Sequence, residues 1–428
     1  MRIESVRALE ILDSRGNPTL SVSVTLADGT TASAQVPSGA STGKHEAVEL
    51  RDGNDWRYGG KGVLRAVQSV GDLEFLGDLQ PDAEDQSAID RKLIELDGTP
   101  DKSRLGANAI LGVSCAVARA VAASRGIPLW KSLADTFGTK PKFPAPMVNI
   151  LSGGAHAGRQ IEFQDFLVMP RAFRTMRETL EGIAGIHRAA GSVLRERGYR
   201  LTGVADEGGW GPALQSNREA LEILCAAIER AGFRPGEDFA IAIDVAASQF
   251  YRDDMYHLAT ENRVLTRDEM ISLLDEWRKK YPVVSIEDAL EEDDWDGWTA
   301  LTKRMGGDVQ LIGDDLFTTN PERVRRGIES GAANAVLVKM NQIGTLTETF
   351  VVLRIARKAG YRAVVSARSG ETEDSFLADL AVASGAGQIK IGSVTRSERL
   401  AKYNRLLEIE AWEGLGVGRI QTRDSARW

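Results

Sequence analysis

Ile241-Ala-Ile-Asp244, Val283-Val-Ser-Ile-Glu287, Val309-Gln-Leu-Ile-Gly-Asp314, Ala335-Val-Leu-Val-Lys339, Ala363-Val-Val-Ser-Ala-Arg368 and Gln388-Ile-Lys390 repeat one event across Ala240–Ser393. A short apolar run ends at an ionisable residue, and the chain then turns polar. Amphipathic, helix-like stretches separate most of these runs. The spacing of about 25 residues is that of one βα unit in a parallel barrel. Residues at the C-terminal ends of successive parallel strands converge on one face, where barrel enzymes carry their chemistry.

The chain around this run has 428 residues, enough for two domains. It is 43% hydrophobic and 27% charged, with a net charge of −8, which excludes the basic face a general nucleic-acid grip requires. The acids of Glu291-Glu-Asp-Asp294 read as solvated surface, and Asp85–Asp90 and Asp293-Asp294 as helix starts. Cys115 and Cys225 lie in apolar helical contexts and read as buried packing. No stretch holds the roughly 18 unbroken apolar residues of a membrane span, and with few cysteines and no apolar leader the expected location is cytoplasmic.

Residues 2–36 alternate apolar and polar positions, as in Thr19-Leu-Ser-Val-Ser-Val-Thr-Leu26, and predict antiparallel strands with turns at Asp13–Pro18 and Ala27–Gly29. Pro37-Ser-Gly-Ala-Ser-Thr-Gly43 is small and unanchored, and reads as a mobile loop over a site. From about Gly60 to Ala134 the pattern is helical. The linker-like Thr139-Lys-Pro-Lys-Phe-Pro-Ala-Pro146 places a boundary between an N-terminal α+β capping domain, 1–138, and a barrel domain, 139–428. The first barrel strands are expected at Met147–Ile150 and Phe163–Val168.

Asp244, Glu287 and Asp314 are carboxylates at three predicted strand ends. A single such acid is more often a helix N-cap than a ligand. Three on one barrel face supply hard oxygen donors that suit Mg²⁺ better than Zn²⁺. Lys339 and Lys390 would point at the same metal, whose charge disfavours their ammonium forms and tunes one toward a neutral base. Arg368 beside Ser369 makes a clamp for phosphate or carboxylate. His156 sits in the Gly-rich Ser152–Gly158, where a structural role and a ligand-binding role stay open. Glu207, paired with Asp206 against two glycines, is a candidate general acid. Together these groups suit proton abstraction beside a carboxylate, with the enolate's charge spread onto a divalent metal.

The motifs Asp13-Ser-Arg-Gly-Asn-Pro18, Ser38-Gly-Ala-Ser-Thr-Gly43, Gly106-Ala-Asn-Ala-Ile-Leu-Gly112, Asp206-Glu-Gly-Gly209, Ser285-Ile-Glu-Asp288, Gly313-Asp-Asp-Leu316, Asn341-Gln-Ile-Gly344, Arg368-Ser-Gly-Glu-Thr-Glu-Asp374 and Gly387-Gln-Ile-Lys390 occur in order. Over nearly its whole length the chain resembles the enolase (phosphopyruvate hydratase) family. The resemblance implies an α/β fold: an N-terminal α+β cap on a modified TIM-like (β/α)8 barrel whose second strand runs antiparallel, in a homodimer or higher homo-oligomer. It implies two Mg²⁺ per site, the tighter one held by Asp244, Glu287 and Asp314, with Ser38 closing over the second. It implies Lys339 as the base at C2, Lys390 on the substrate carboxylate, Arg368 and Ser369 on the phosphate, Glu207 assisting loss of the C3 hydroxyl, and His156 as the loop histidine at the substrate.

Two positions depart from the family pattern. Ser366-Ala367-Arg368 stands where the family has Ser-His-Arg, so the substrate-facing position is Ala367. Gln164-Asp165-Phe166 stands where it has Gln-Glu-Phe, so the catalytic carboxylate of Asp165 is one methylene shorter. Ala205, Trp210-Gly211 and Gln249 are lesser departures. These changes fall on groups that, by the resemblance, surround the substrate's C3 end. They predict a diverged paralogue that keeps C2 deprotonation of a 2-phosphoglycerate-like or phosphonate three-carbon acid and forms an enolpyruvate product. The named function this suggests is carboxyphosphonoenolpyruvate synthase, of phosphonate or phosphinothricin-type biosynthesis. The alternatives are ordinary enolase, converting 2-phospho-D-glycerate to phosphoenolpyruvate and water, and a non-catalytic protein of the same fold. No nucleic-acid or membrane partner is expected.

Overall fold

A computed structural model describes residues 1–39, 43–53, 55–73, 81–413 and 415. Strands β1 (Ile3–Leu12), β2 (Pro18–Leu26) and β3 (Thr31–Gln35) form an antiparallel meander. The period-two pattern of β2 puts Leu20, Val22, Val24 and Leu26 on a fully buried face, while Ser21, Ser23 and Thr25 stay half-exposed. Helices α1 (Leu64–Gly71), α2 (Gln86–Asp97), α3 (Ala107–Ser124) and α4 (Leu129–Phe137) follow. Helix α3 is apolar almost all round, because it lies between the β2–β3 face and the barrel. By length and composition α3 is apolar enough to cross a membrane, but 83% of it is buried inside the protein.

The barrel then forms from β4 (Ala145–Ser152), β5 (Asp165–Pro170), α5 (Met176–Glu196), α6 (Asn217–Arg230) and β6 (Phe239–Asp244). A small sheet of β7 (Tyr251–Arg252), β8 (Met255–Leu258) and β9 (Arg263–Leu265) comes next, followed by α7 (Arg267–Lys280) and β10 (Val283–Glu287). Helix α8 (Trp295–Met305), β11 (Gln310–Gly313), α9 (Pro321–Ser330), β12 (Ala335–Val338), α10 (Met340–Ile343) and α11 (Leu346–Lys358) continue the alternation. Strand β13 (Arg362–Ser366), α12 (Phe376–Ser384), β14 (Gln388–Gly392) and α13 (Ser397–Trp412) complete it.

The closed order is β4-β5-β6-β10-β11-β12-β13-β14, with β14 returning to β4. All neighbours are parallel except β5, which runs antiparallel to both β4 and β6, as the family resemblance implies. Met147, Leu167, Met169, Ala242, Ile312, Ala335, Leu337 and Val364 make a separate apolar cluster of barrel-strand residues. The reversal of β5 decides where Asp165 stands. As the first residue of a reversed strand, it pairs in register with Ser152 and Asp244, the last residues of β4 and β6.

Several local expectations change. The β7–β9 sheet fills the long interval between Asp244 and Glu287, where no strands were read; its strands are too short to show a periodic signal. Glu291–Asp294 is half-buried rather than solvated. Asp293 receives Arg323 and His45, each at 3.1 Å, and Asp294 caps α8 by accepting from the Gly297 N–H at 3.0 Å. Asp85 does cap α2. Asp90 instead lies fully buried inside that helix, accepting from the Thr347 N–H of α11 at 2.8 Å. Cys115 is buried and Cys225 only partly so.

Helix α3 packs tightly on the meander because Gly112 carries no side chain. A Cβ there would stand 2.4 Å from Val22 Cγ2. Gly112→Ala is therefore expected to destabilise the fold, overpacking at typically 1–3 kcal/mol outweighing a helix-propensity gain of about 1 kcal/mol. Thermal unfolding would read this as a fall of a few degrees in Tm.

Candidate active site

At the rim where the parallel strands end, a small polar cavity of about 40 Å³ is lined by every expected site residue except Ser38, Asp165 and Glu287. Glu287 and Asp165 lie just beneath it, in contact with residues that line it.

The Lys390 ammonium is nearly buried and stands between two carboxylates, 2.7 Å from Asp244 Oδ2 and 2.8 Å from Glu287 Oε1. Adjacent strands make this possible, because Glu287 and Asp244 pair in register on β10 and β6. Burial, and then the neighbouring Asp244 charge, push Glu287 well above the ordinary carboxylate range. Burial works to lower Lys390, but Asp244 and Glu287 hold it well above the ordinary lysine value. Gln164 Nε2 donates to Asp244 Oδ2 at 3.1 Å and accepts through its carbonyl from Gln249 Nε2 at 2.7 Å.

Lys339, just past β12, pairs with Asp314 Oδ2, and Asp314 Oδ1 accepts from Gln342 Nε2 at 2.9 Å. Burial opposes the charged lysine, but Asp314 overcomes it and raises Lys339 above its ordinary value. Below this pair the Asp288 carboxylate, on a residue with left-handed backbone (φ +44°), accepts from the Asp314 and Asp315 N–H groups at 2.8 and 2.9 Å. Burial, then Asp314, push Asp315 up to about 8.

His156 Nδ1 lies 2.9 Å from Asp165 Oδ2, and its Nε2 lies 3.9 Å from Glu207 Oε1. Asp165 Oδ1 also accepts from Ser152 Oγ at 3.0 Å and from Asn149 Nδ2. Burial acts to lower His156, yet Asp165 and Glu207 prevail and push it up to about 9. Burial raises Asp165. The ring therefore carries the proton and faces two acids.

Arg368 meets Glu46 with both terminal nitrogens, at 2.8 and 3.2 Å, and Asn341 Oδ1 at 3.1 Å. Burial opposes its charge, but Glu46 raises its pKa further. Ser369 follows it on the cavity wall, and Ala367 lines the same wall with its N–H bonded to the Lys390 carbonyl at 2.8 Å. Ser38 stands apart from the carboxylates. Its Oγ donates to Asp13 Oδ2 at 2.8 Å, and its backbone exchanges two hydrogen bonds with Gly370 at 2.7 and 2.9 Å. Residues 40–42 of the predicted mobile loop lie outside the described residues.

Two acid groups bring ligand atoms within 4.8 Å of one another among the described residues: His156–Asp165–Glu207 and Asp288–Asp314–Asp315. The expected trio of Asp244, Glu287 and Asp314 is not one of these, since Lys390 separates its first two members and Asp314 turns to Lys339. The trio nevertheless offers only oxygen donors and carries more buried negative charge than Lys390 offsets at Glu287, so its chemistry fits a hard divalent cation.

Sequence reasoning missed Glu46, Asp288, Asp315 and Gln342. The doubled acids Glu287-Asp288 and Asp314-Asp315 were a usable signal for the middle two. Glu46 gave none, because its partner lies far along the chain.

The comparisons with known proteins cover both halves. The enolase N-terminal domain family matches residues 3–133, and the enolase C-terminal TIM barrel domain family matches residues 140–420. A protein of Acidothermus cellulolyticus (strain ATCC 43068 / DSM 8971 / 11B) named Enolase is 56% identical over 408 residues, which span 95% of this chain and 94% of that one. With the cap, the barrel, its reversed strand and these matches in agreement, the chain belongs to the enolase family and is an enzyme of the lyase type.

Proposed function

We propose that the protein catalyses the ordinary enolase reaction, the dehydration of 2-phospho-D-glycerate to phosphoenolpyruvate. Nothing in the comparisons supports the carboxyphosphonoenolpyruvate synthase suggested by Ala367 and Asp165, and a 56% identical relative named Enolase fits the alternative better. The observation that supports the reading is the contact of Asp165 with His156 at 2.9 Å: the shorter carboxylate reaches the loop histidine, whose other nitrogen faces Glu207 at 3.9 Å.

In this reading Asp244, Glu287 and Asp314 hold Mg²⁺. The ion would supply positive charge against the negative charge that develops on the substrate carboxylate as C2 loses its proton. Lys390, fixed by Asp244 and Glu287, presents an ammonium to that carboxylate. Asp314 would hold the ion while it lies beside Lys339, and Lys339 Nζ takes the proton from C2. Arg368 and Ser369 receive the phosphate, which competes with Glu46 for the guanidinium. Glu207, with His156 and Asp165 behind it, provides the proton for the departing C3 hydroxyl. We further propose a cytoplasmic homo-oligomer, in keeping with the family.

With Mg²⁺ and 2-phospho-D-glycerate, an absorbance assay for the enol product is expected to show turnover at a typical rate of about 10 s⁻¹. No turnover of this substrate, with product formed from a phosphonate analogue, would overturn the assignment. Lys339→Ala is expected to lower kcat by about 10²–10⁴-fold and leave substrate binding largely intact, as stopped-flow and titration calorimetry can check.

The raised His156 value has a consequence for stability. A histidine whose folded pKa is about 9, against an ordinary 6.5, stabilises the fold fully below about pH 6.5, and that contribution is lost as the pH rises through about 9. Melting temperatures of the metal-free protein and of His156→Gln are expected to differ most at about pH 6.5, less at neutral pH, and to converge as the pH rises through about 9.

A further inference from the structure

Helix α13 turns two buried cations against the loop that carries the phosphate clamp. Arg399 is fully buried. Its Nη1 donates to the carbonyls of Arg368 at 2.6 Å and Ile391 at 3.0 Å, and its Nη2 donates to the carbonyl of Ser369 at 2.7 Å. One turn on, Lys402 Nζ donates to the Thr372 carbonyl and pairs with Glu371 Oε2 at 2.9 Å, while Glu371 Oε1 accepts from the Arg368 N–H at 3.0 Å.

Among the described residues, no carboxylate lies at hydrogen-bond distance from Arg399. Glu398 Oε1 is 3.7 Å away and Glu207 Oε1 is 3.9 Å away, and its Nε has no hydrogen-bond partner. Both carboxylate contacts are ion pairs wider than a hydrogen bond, so the buried charge is satisfied mainly by backbone carbonyls, and apolar side chains would pack that space at lower cost. The backbone is also shaped around it. Gly392 has φ +112°, and a Cβ there would stand 2.9 Å from both Arg399 Cδ and the Glu207 carbonyl oxygen. The three carbonyls in the guanidinium's grasp belong to both clamp residues and to the neighbour of Lys390. One rigid fork thus ties the exit of β13 to the exit of β14, beside Glu207.

We propose that Arg399 is a positioning residue that sets where the Arg368–Ser369 clamp stands relative to Lys390 and Glu207, and so governs affinity for the substrate's phosphoryl group. This rests on the reading of the cavity as a phosphorylated-acid site. A shift near 1 Å in such a clamp is enough for about a 10²-fold loss.

The test uses the full chain and the variants Arg399→Met and Arg399→Lys, with Gly112→Ala as a destabilised control remote from the clamp. For Arg399→Met, KM for 2-phospho-D-glycerate and the inhibition constant of inorganic phosphate are expected to rise at least about 10-fold, more than kcat falls, with Mg²⁺ affinity by calorimetry unchanged. Arg399→Lys, which keeps the charge but not the fork, is expected to recover part of the loss; the control should move Tm alone. Wild-type KM and phosphate inhibition in a folded Arg399 variant, or failure of both variants to fold, would overturn the proposal. If the wild type itself does not turn over the substrate, the parent reading fails. Calorimetric binding of inorganic phosphate to wild type and Arg399→Lys then still decides the role of Arg399, equal affinities overturning it.

Discussion

Like charge packed out of water is the constraint on which the rest of this structure depends. Asp244, Glu287, Asp288 and Asp314 are all buried at one end of the barrel. Carboxylates that close repel, and desolvation adds to the cost of each. The fold offsets this with ammonium groups from two later strands and with backbone N–H groups. Lys390 reaches Asp244 and Glu287, Lys339 reaches Asp314, and the Asp288 carboxylate caps the chain at Asp314-Asp315. Only a closed parallel barrel delivers so many strand ends to one place, so architecture and charge balance are one problem here.

That balance sets the charge state of the two lysines. The sequence places two amines beside a cation and predicts that they lose their protons easily. In the folded chain each amine stands in for positive charge and is held protonated by the acids. The two statements describe two partners competing for the same carboxylates. Asp314 already serves two partners, Lys339 on one oxygen and Gln342 on the other, so whatever else engages this carboxylate also bears on the Lys339 charge.

Much of the fold was legible because strand ends repeat a pattern that any single strand would leave ambiguous. Ile241–Asp244 alone is a short apolar run with an acid; six such runs in succession point to a barrel. The strand reversal at β5 was visible only through family resemblance, since periodicity carries no direction. Glu46 was invisible for a related reason: its significance is a contact with Arg368, and no local pattern records a partner so far along the chain. Ser38 illustrates the converse. The motif around it is legible, but the tie of Ser38 to Asp13 and Gly370 depends on how the cap meets the barrel.

The two departures from the family pattern also look different once the backbone is known. Asp165 begins the reversed strand, in register with Ser152 and Asp244, the last residues of the neighbouring strands. From there even the shorter acid meets His156, Ser152 and Asn149. Ala367 loses only a side chain. Its N–H still bonds the Lys390 carbonyl, and the Arg368 and Ser369 carbonyls beside it remain in the grip of Arg399. Both positions are hydrogen-bonded to neighbouring residues of the site. Both alter the lining of a cavity whose frame is set elsewhere, so divergence at these positions is compatible with the reaction of the family.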